Sequence, residues 1–365
     1  MILSASGPSS DRQSSAAAKR HSRPDYTQTG ADIRSTPPAD EGFYFPAEWQ
    51  PHERTLMQFL PAQNFERHDI AASRAEWADV ANAVVEFEPV TMAVRAQDMP
   101  SASRLLSAAV DLVEIPLNDG WCRDSGPMIL VNGGPERRVA GFEFNCWGRK
   151  FAPYDDDALV KARFAERFNM PFHPADLVLE GGAVHVDGEG TAITTEQCLL
   201  HPNRNPGMSK TEIEAVLKGW LGVEKVIWLA KGLAPDPITD GHVDGIAAFA
   251  APGVVLVHTT DDAGDPNRTI TAAAREVLER SVDAKGRKLE VIPVPLTSPD
   301  VAHMNFYICN GAVVVPVVGA GRDDDAPLAI LRDVFPDREI VPIGGRLIAE
   351  GGGGVHCITQ QVPAV

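Results

Sequence analysis

A cysteine near the C-terminus stands in the segment of this chain that best suits nucleophilic chemistry. Cys357 follows four consecutive glycines at positions 351–354 and the residue His356. Glycines allow positive φ angles and a close approach of the backbone to a ligand, so a run of them suits a nucleophile in a tight pocket. The alternative is a buried cysteine after a flexible turn. The polar residues at 359–361 strengthen the first interpretation, and both stay open.

The segment ITDGHVDGI provides an imidazole and a carboxylate two positions apart, at His242 and Asp244. On a strand, residues i and i+2 face the same side, so both side chains would point into one site. One of them would act as general acid and base while the other binds a cationic group. The alternative is a turn, and the same His-x-Asp pattern recurs at His185 and Asp187, so at least one of the two pairs is expected to be structural.

Two more acidic residues directly follow apolar segments. Asp124 lies in WCRDSGP, after VDLVEIPL, and Glu180 precedes two glycines in LVLEGGAVHVDGEGT. Functional groups are often carried on loops at the ends of buried elements, which places both carboxylates where a cavity would form. The alternatives are a structural ion pair between Arg123 and Asp124, and a Glu180 that faces solvent.

The elements that must position these groups alternate between apolar strands and amphipathic helices. Strands this apolar, separated by helices, are typical of an α/β protein with covered sheets. Strands are predicted at 55–60, 90–94, 110–117, 225–230, 245–250, 253–259 and 288–296, and helices at 74–87 and 269–282.

Polar residues recur at the ends of strands, at intervals of roughly 60 residues. They are Asp124, Glu180, Asp244, Asn305 and Cys357. A repeat of this length suggests a closed array of five similar units around an axis, as in a propeller. If each unit contributes one polar strand end, these five side chains converge on a central site.

Composition narrows the class of partner. The 365 residues carry 33 Lys and Arg against 50 Asp and Glu, which gives a net charge of −17. This charge argues against a nucleic acid or an anionic membrane and suits a cationic substrate. No segment reaches the roughly 18 apolar residues that a membrane span requires. The five cysteines are widely spaced and include no CxxC pair, which indicates a reducing compartment, and we expect a cytoplasmic protein.

Residues 1–41 are rich in Ser, Ala, Asp, Arg and Pro and show no apolar periodicity. Such a composition predicts a flexible N-terminal tail. Ordered structure is expected from Gly42 onward, with residues 42–365 forming a single domain.

The motifs together resemble the agmatine deiminase family, which includes the bacterial-type peptidylarginine deiminases. The resemblance covers residues 42–363, in family order, through PAEWQPHE, WCRDSGP, FEFNCWG, LEGGAVHVDGEGTAITTEQCLL, NRNP, GVEKVIWLAKGL, TDGHVDG, NFYICNG and GGGGVHCITQQ. It implies an α/β fold, the pentein five-bladed β/α propeller with pseudo-fivefold symmetry. It also implies a homodimer, a small cationic guanidine as substrate, and no metal or organic cofactor.

Carried over position by position, the resemblance implies that Cys357 is the nucleophile and His242 the general acid and base. The carboxylates that hold the guanidinium would be those of Asp124, Glu180 and Asp244. Four neighbouring residues in the same motifs are expected to contribute to substrate binding: Trp121, Arg123, Asp240 and Gly354.

The chemistry that the resemblance implies is hydrolysis of agmatine to N-carbamoylputrescine and ammonia through a covalent thiouronium on Cys357. Because the neighbouring carboxylates raise the pKa of a thiol, we expect the thiolate to form mainly when the cationic substrate is bound. Equal apparent pKa values of Cys357 with and without a guanidinium would contradict that hypothesis.

Some positions depart from the agmatine-specific pattern and keep other substrates open. A Glu often stands four residues before the catalytic His, where this chain has Ile238, and a small residue usually follows CWG, where it has Arg149. Asn is common where this chain has Gly245 and Gly354. An acidic group suits the primary amine of agmatine, whereas an Arg favours a carboxylate, so free or peptide-linked arginine, or another guanidine, is an alternative substrate.

Two other classes of protein are alternatives to a deiminase. A metal-dependent hydrolase would use His242, Asp244 and either His185 or Asp187, although the chain has no recognisable three-ligand motif. A guanidinium-binding protein without activity would be expected to lack the Cys or the His, and both are present.

Overall fold

The computed structural model describes residues 24–62, 69–319 and 323–365. Within them, sixteen strands form five separate sheets, four with three strands and one with four. In each three-stranded sheet the first two strands are antiparallel, and the third returns parallel to the second after a helix. A parallel return needs such a crossover, and this explains why every long helix lies between the second and third strands of a sheet.

We call the five sheets, with their helices, blades 1 to 5. Blades 1 and 2 follow each other along the chain. Blade 1 has strands Met128–Val131, Arg137–Glu143 and Phe172–Val178 and helix Asp155–Arg167, and blade 2 has strands Val184–Val186, Thr191–Thr195 and Lys225–Leu229 and helix Lys210–Leu221. Blade 3 has strands Ala247–Ala251, Val254–Thr259 and Glu290–Pro295 and helix Asn267–Arg280, and blade 4 has strands Tyr307–Cys309, Ala312–Val317 and Glu339–Gly344 and helix Asp325–Val334. Blade 5 has four strands, Thr359–Pro363, His52–Gln58, Val90–Val94 and Asp111–Glu114, and two helices, Ile70–Val84 and Met99–Leu105. Four short α-helices lie between or within the blades: Cys122–Ser125, Cys146–Arg149, Glu196–Leu199 and Arg346–Glu350. The five-unit repeat predicted from the sequence is confirmed.

Blade 5 joins the two ends of the chain. Its inner strand comes from the C-terminal segment and pairs antiparallel with His52–Gln58, with Thr55 opposite Gln361. This pairing closes the ring and brings Cys357, directly before the C-terminal strand, beside elements from earlier in the chain.

Local sequence explains where the helices begin and end. Asp69 accepts hydrogen bonds from two backbone N–H groups of the helix Ile70–Val84, and this cap starts the helix four residues before the predicted range. Ser209 and Glu212 form a reciprocal capping box on the blade 2 helix, which ends at Gly222 with a φ of 66°.

The core lies between the blades. The strands Ala312–Val317 and Met128–Val131 are buried along their whole length, as expected for sheets covered on both faces. The helices of blades 2 to 4 also pack against the last strand of the preceding blade. Side chains are therefore shared between blades, and this fixes the turns at the centre of the ring relative to one another.

The N-terminal region differs from the prediction. Tyr26 is buried and its ring lies 4.7 Å from that of Phe172. The backbone carbonyl of Phe172 accepts the N–H of Arg34, and the N–H of Phe172 is donated to the carbonyl of Asp32. The prediction of a flexible tail is therefore wrong for residues 24–41, because a few buried contacts outweigh the polar composition. Residues 1–23 lie outside the described residues. In the part of the chain that the structure describes, no helix is long and apolar enough to cross a membrane.

Candidate active site

The predicted site residues lie on one turn of backbone that precedes the inner strand of each blade. These turns contact one another around the ring, so residues far apart in sequence meet. The turns are Cys122–Ser125, Gly181–Ala183, Val243–Gly245, residues 302–305 and His356–Ile358.

The sulfur of Cys357 lies between an amide and a carboxylate. Its Sγ is 3.3 Å from Oδ1 of Asn305 and 3.6 Å from Oδ2 of Asp244, and the residue is 5% exposed. Burial raises the pKa of the thiol well above its usual value, and the negative charges of Asp244 and Asp124 raise it further. The thiol is therefore neutral at physiological pH in the empty site, as the sequence hypothesis requires.

His242 faces two carboxylates without a close hydrogen bond to either. Its Nδ1 is 3.9 Å from Oδ1 of Asp124 and its Nε2 is 3.8 Å from Oε2 of Glu180. Burial lowers the pKa of the imidazole, but the charge of Asp124 and the interactions with Cys198 and Glu180 outweigh it and leave the pKa well above its usual value. The surroundings of His242 thus favour the imidazolium form, and its two buried ring nitrogens have no hydrogen-bond partner in the structure.

The local geometry at His242 differs from the sequence prediction. Asp244 lies in the one-turn helix Val243–Gly245, and His242 is the residue that precedes it, so the pair is not on a strand. The tight turn still directs both side chains to the same site, since a β-carbon on Gly182 would lie 2.6 Å from Nδ1 of His242 and 2.8 Å from Oδ2 of Asp244. The predicted meeting of the two groups is correct, although its predicted cause is wrong.

Asp124 is held by two donors from other blades and loops. Its Oδ1 accepts the backbone N–H of Gly182 at 3.0 Å, and its Oδ2 accepts the indole N–H of Trp147 at 2.8 Å. Burial raises the pKa of this carboxyl. Trp147 was not among the predicted site residues, although it belongs to the motif FEFNCWG that carried the resemblance.

Glu180 has one oxygen paired and one oxygen free. Its Oε1 accepts the Nε–H of Arg204 at 2.6 Å, whereas its buried Oε2 has no hydrogen-bond partner. Burial raises the pKa of Glu180, but the guanidinium of Arg204 and the imidazolium of His242 outweigh it and lower the pKa. The free oxygen of an ionised, fully buried carboxylate is suited to a cation that enters the site.

Of the four residues predicted to bind substrate, Trp121 lies next to the nucleophile. A β-carbon on Gly353 would be 2.4 Å from the ring of Trp121 and 3.1 Å from the sulfur of Cys357. A β-carbon on Gly354 would be 2.4 Å from Oδ1 of Asn305, so this glycine allows the amide to approach Cys357.

Arg123 and Asp240 have partners within the protein. Arg123 donates to Glu48, to the side chain of Gln361 and to the backbone carbonyl of His356. Asp240 accepts hydrogen bonds from Lys150, Arg204 and Asn203. The structure therefore places both residues in the support of the site, where they fix other side chains.

Sequence reasoning missed three charged residues beside the site. Glu48, Arg204 and His356 are at most 4% exposed. His356 bridges Asp244 and Glu48 at 2.9 Å each, across 112 and 308 residues of sequence. Their signal was present in PAEWQPHE, NRNP and GGGGVHCITQQ, but a local pattern does not show which partner a residue will meet.

The residues predicted as ligands for a metal-dependent hydrolase do not form one cluster. Among the described residues, the possible ligand atoms of His185 lie close to those of Glu48 and His356, whereas those of His242 lie close to those of Glu180 and Cys198. Asp187 closes its own turn by accepting the backbone N–H groups of Glu189 and Thr191, each at 2.8 Å.

Known proteins are similar to this chain in sequence over most of its length. The family model for Porphyromonas-type peptidyl-arginine deiminase matches residues 44–363. The chain is 41% identical over 364 residues to the agmatine deiminase of Stutzerimonas stutzeri, with 91% of this chain and 98% of that protein covered. It is also 41% identical to an agmatine deiminase of Pseudomonas aeruginosa, with coverage of 90% and 98%.

Solved structures of similar proteins share the fold. The structure of Enterococcus faecalis agmatine deiminase is 34% identical, with a TM-score of 0.84 over 91% of this chain and 98% of that chain. A substrate-bound variant of C. jejuni agmatine deiminase is 25% identical, with a TM-score of 0.77 and coverage of 88% and 96%. These matches, together with the five blades, confirm the predicted α/β pentein propeller. The family model matches most of the chain, and the alignments with the two relatives cover nearly the full length of those proteins. The chain therefore belongs to the Porphyromonas-type peptidyl-arginine deiminase family.

Proposed function

We propose that this protein is an agmatine deiminase, which hydrolyses agmatine to N-carbamoylputrescine and ammonia in a single catalytic domain. One observation carries the proposal: a buried thiol, an imidazole and three carboxylates, which come from four turns of the chain, surround one point in the ring. The names of relatives at 41% identity support agmatine as the substrate.

The carboxylates account for recognition of the guanidinium. This cation is planar and keeps its charge at neutral pH, with a pKa above roughly 12. The unpaired Oε2 of Glu180 and the oxygens of Asp124 and Asp244 accept its N–H groups and fix its plane. Because these groups are at most 4% exposed, the contacts form away from water and are correspondingly strong.

The first half of the reaction forms a bond between Cys357 and the central carbon of the guanidinium. The arriving cation offsets the negative field that holds the thiol neutral, and Cys357 then loses its proton to solvent and attacks as the thiolate. The tetrahedral adduct collapses with loss of one nitrogen. His242, already an imidazolium, donates its proton to that nitrogen, which leaves as ammonia.

The second half is hydrolysis of the covalent thiouronium. His242 is now neutral and takes a proton from water, which attacks the same carbon. The thiolate departs and takes up the proton of the new hydroxyl group, which leaves a neutral ureido product and restores the thiol of Cys357. No step requires a metal ion or an organic cofactor, since the positive charge that stabilises each adduct belongs to the substrate and to His242.

Two residues bear on the choice between agmatine and arginine. Arg149 is exposed and lines a separate cavity of about 500 Å³ together with Glu143 and Asp155. Ile238 lies beside the glycine run, where a β-carbon on Gly352 would approach its side chain to 2.3 Å. Arg149 therefore lines a cavity that none of the proposed catalytic residues lines, which weakens the argument for a substrate with a carboxylate.

The experiment is a direct assay of ureido product and ammonia with agmatine, arginine and a blocked arginyl peptide, run beside Cys357→Ala. Turnover of agmatine that the variant abolishes supports the proposal. Turnover of an arginine substrate alone would keep the chemistry and overturn the substrate. Activity that a chelator removes and Cys357→Ala retains would instead favour a metal-dependent hydrolase.

We also propose that the protein acts in the cytoplasm as a homodimer. All five cysteines are buried and free, which suits a reducing compartment. The family resemblance supports the dimer, and light scattering of the purified protein at micromolar concentration tests it: a monomer mass would overturn this part of the proposal.

A further inference from the structure

His356 lies between two carboxylates behind the substrate site. Its Nδ1 is 2.9 Å from Oδ2 of Asp244, and its Nε2 is 2.9 Å from Oε2 of Glu48. An ionised carboxylate only accepts hydrogen bonds, so each ring nitrogen must donate. An imidazole with two N–H groups is an imidazolium, and the geometry therefore assigns a positive charge to His356.

Glu48 has the partners of an ionised group. Besides His356, it accepts a hydrogen bond from Arg123 at 3.2 Å and the backbone N–H of Ile308 at 2.8 Å. The charges of His356 and Arg123 outweigh burial and lower the pKa of Glu48 below its usual value. A proton on Glu48 is thus excluded as the donor in its contact with His356.

The other titratable groups around His356 leave its charge in place. His185 stacks on His356 with ring centroids 6.1 Å apart, and burial lowers the pKa of His185 to about 4, so that ring is neutral. Burial and the charge of Arg123 both oppose a charge on His356, but the interactions with Glu48 and Asp244 together outweigh them and raise the pKa of His356. Tyr307 faces Arg123 across 5.9 Å and stays protonated because burial raises its pKa.

Asp244 depends on this arrangement. It is 4% exposed, and burial alone would raise its pKa. The hydrogen bond and the charge of His356 make the largest contribution against that effect, and together with the charges of His242 and Arg123 they lower the pKa. The same oxygen, Oδ2, is the one that lies 3.6 Å from the sulfur of Cys357.

We propose that His356 is a permanently charged positioning residue, which keeps Asp244 ionised and in place for the guanidinium of the substrate. The inference rests on the proposed function, because it assigns Asp244 to substrate binding. Glu48 and Arg123 complete the arrangement by holding the imidazolium from the far side.

The test compares His356→Asn with the wild-type protein across pH. The Asn amide retains an N–H group near the place of Nδ1 but has no charge, so Asp244 would gain a proton on mild acidification. We expect the KM for agmatine to rise as the pH falls from 8 to 6 in the variant. A tenfold rise at pH 6 would correspond to a pKa of about 7 for Asp244 in the variant, roughly three units above that of an ordinary Asp carboxyl. The KM of the wild-type protein should stay nearly constant over that range.

Two further variants separate charge from shape. His185→Asn removes the neighbouring neutral imidazole and should leave the pH dependence of KM unchanged. His356→Lys restores a cation and should restore a nearly constant KM. A pH dependence for His356→Asn that parallels the wild-type protein would overturn the proposal, since a purely structural role would change KM equally at every pH.

A measurement on the wild-type protein keeps the proposal testable if His356→Asn does not fold. Nitrogen-15 spectra of histidine-labelled protein should contain an imidazolium with both ring nitrogens protonated from about pH 6 to 9, well above the ordinary titration range, and its signal should be missing in His356→Lys. A neutral His356 ring in that range would contradict the proposal.

Failure of the proposed function would be recognised separately. It would appear as wild-type protein that does not turn over agmatine. The proposal for His356 would then be decided by the affinity for guanidinium chloride, measured by calorimetry: binding should weaken on acidification in His356→Asn and persist in the wild-type protein. An equal pH dependence of binding in both proteins would overturn it.

Discussion

The sulfur of Cys357 lies 3.6 Å from the carboxylate oxygen Oδ2 of Asp244. A nucleophile that must become an anion is thus placed beside a group that is already one. The unfavourable field is useful only if the substrate brings a positive charge with it. The empty enzyme then keeps an unreactive thiol, and the reactive thiolate forms where the guanidinium is bound.

This relationship predicts the alkylation behaviour of Cys357. Because burial and the charges of Asp244 and Asp124 raise its pKa, the rate of reaction with iodoacetamide should increase only well above the usual titration range of a thiol. Guanidinium chloride at low millimolar concentration should move the midpoint to lower pH. Asp244→Asn should move it in the same direction without the ligand, and identical midpoints in all three samples would refute the account of the field.

A side chain at position 182 should have a large steric effect on the site. A β-carbon there would lie 2.6 Å from Nδ1 of His242, 2.8 Å from Oδ2 of Asp244 and 3.1 Å from Oδ1 of Asp124, all within the binding point. Gly182→Ala should therefore lower kcat/KM by at least about 100-fold, since small displacements of reacting groups have effects of this size.

Gly245→Ala is the matched control for that variant. Gly245 lies only one residue from Asp244, but a β-carbon there would have no neighbour within 4 Å. Near-normal kcat/KM is expected for this variant. Comparable losses in both, from folded proteins, would mean that the space at Gly182 is not what the reaction requires.

Loss of the indole N–H of Trp147 should lower the activity through its effect on Asp124. Trp147→Phe keeps the aromatic ring and removes the N–H that Asp124 accepts at 2.8 Å. A hydrogen bond to a charged group contributes about 1.5–3 kcal/mol, so kcat/KM should fall about tenfold or more. Trp228→Phe removes a similar bond to Glu214, on the helix of blade 2, and should leave the rate unchanged. Equal rates in the two variants would show that Asp124 does not need this donor.

Arg204 predicts a loss of stability. Its side chain is fully buried and donates to Glu180, Asn203, Asp240 and the backbone of Thr239. Arg204→Ala leaves a buried carboxylate unpaired, and the free energy of unfolding should fall by about 3–5 kcal/mol in urea titrations. Arg280→Ala breaks an exposed pair with Glu276 and should change the free energy by no more than about 0.5 kcal/mol. A small effect of Arg204→Ala would mean that solvent reaches Glu180.

Much of the fold was predictable because the blades repeat. Apolar strands and one polar residue per repeat indicated five units, and these residues do lie on the inner turns of the five blades. The predicted helix 269–282 lies at Asn267–Arg280, and the predicted strand 90–94 has the same bounds as the observed one. Such elements have local signals in their own sequence.

The site was predictable only in part, because its support comes from distant residues. The pairs Glu48–His356 and Arg123–Gln361 span 308 and 238 residues, and no local pattern specifies them. Asp240 has the polar character of a ligand-binding residue in the sequence, yet its partners are Lys150, Arg204 and Asn203. Only the closed ring shows which charges face the substrate site and which face each other.

The most direct test of the account is intact-protein mass spectrometry of the enzyme, quenched with acid during turnover of agmatine. We predict a species heavier than the free enzyme by the mass of agmatine less one ammonia, located on Cys357 by peptide mapping and missing in Cys357→Ala. Full turnover with no such species under rapid quench, or turnover that persists in Cys357→Ala, would contradict the covalent mechanism.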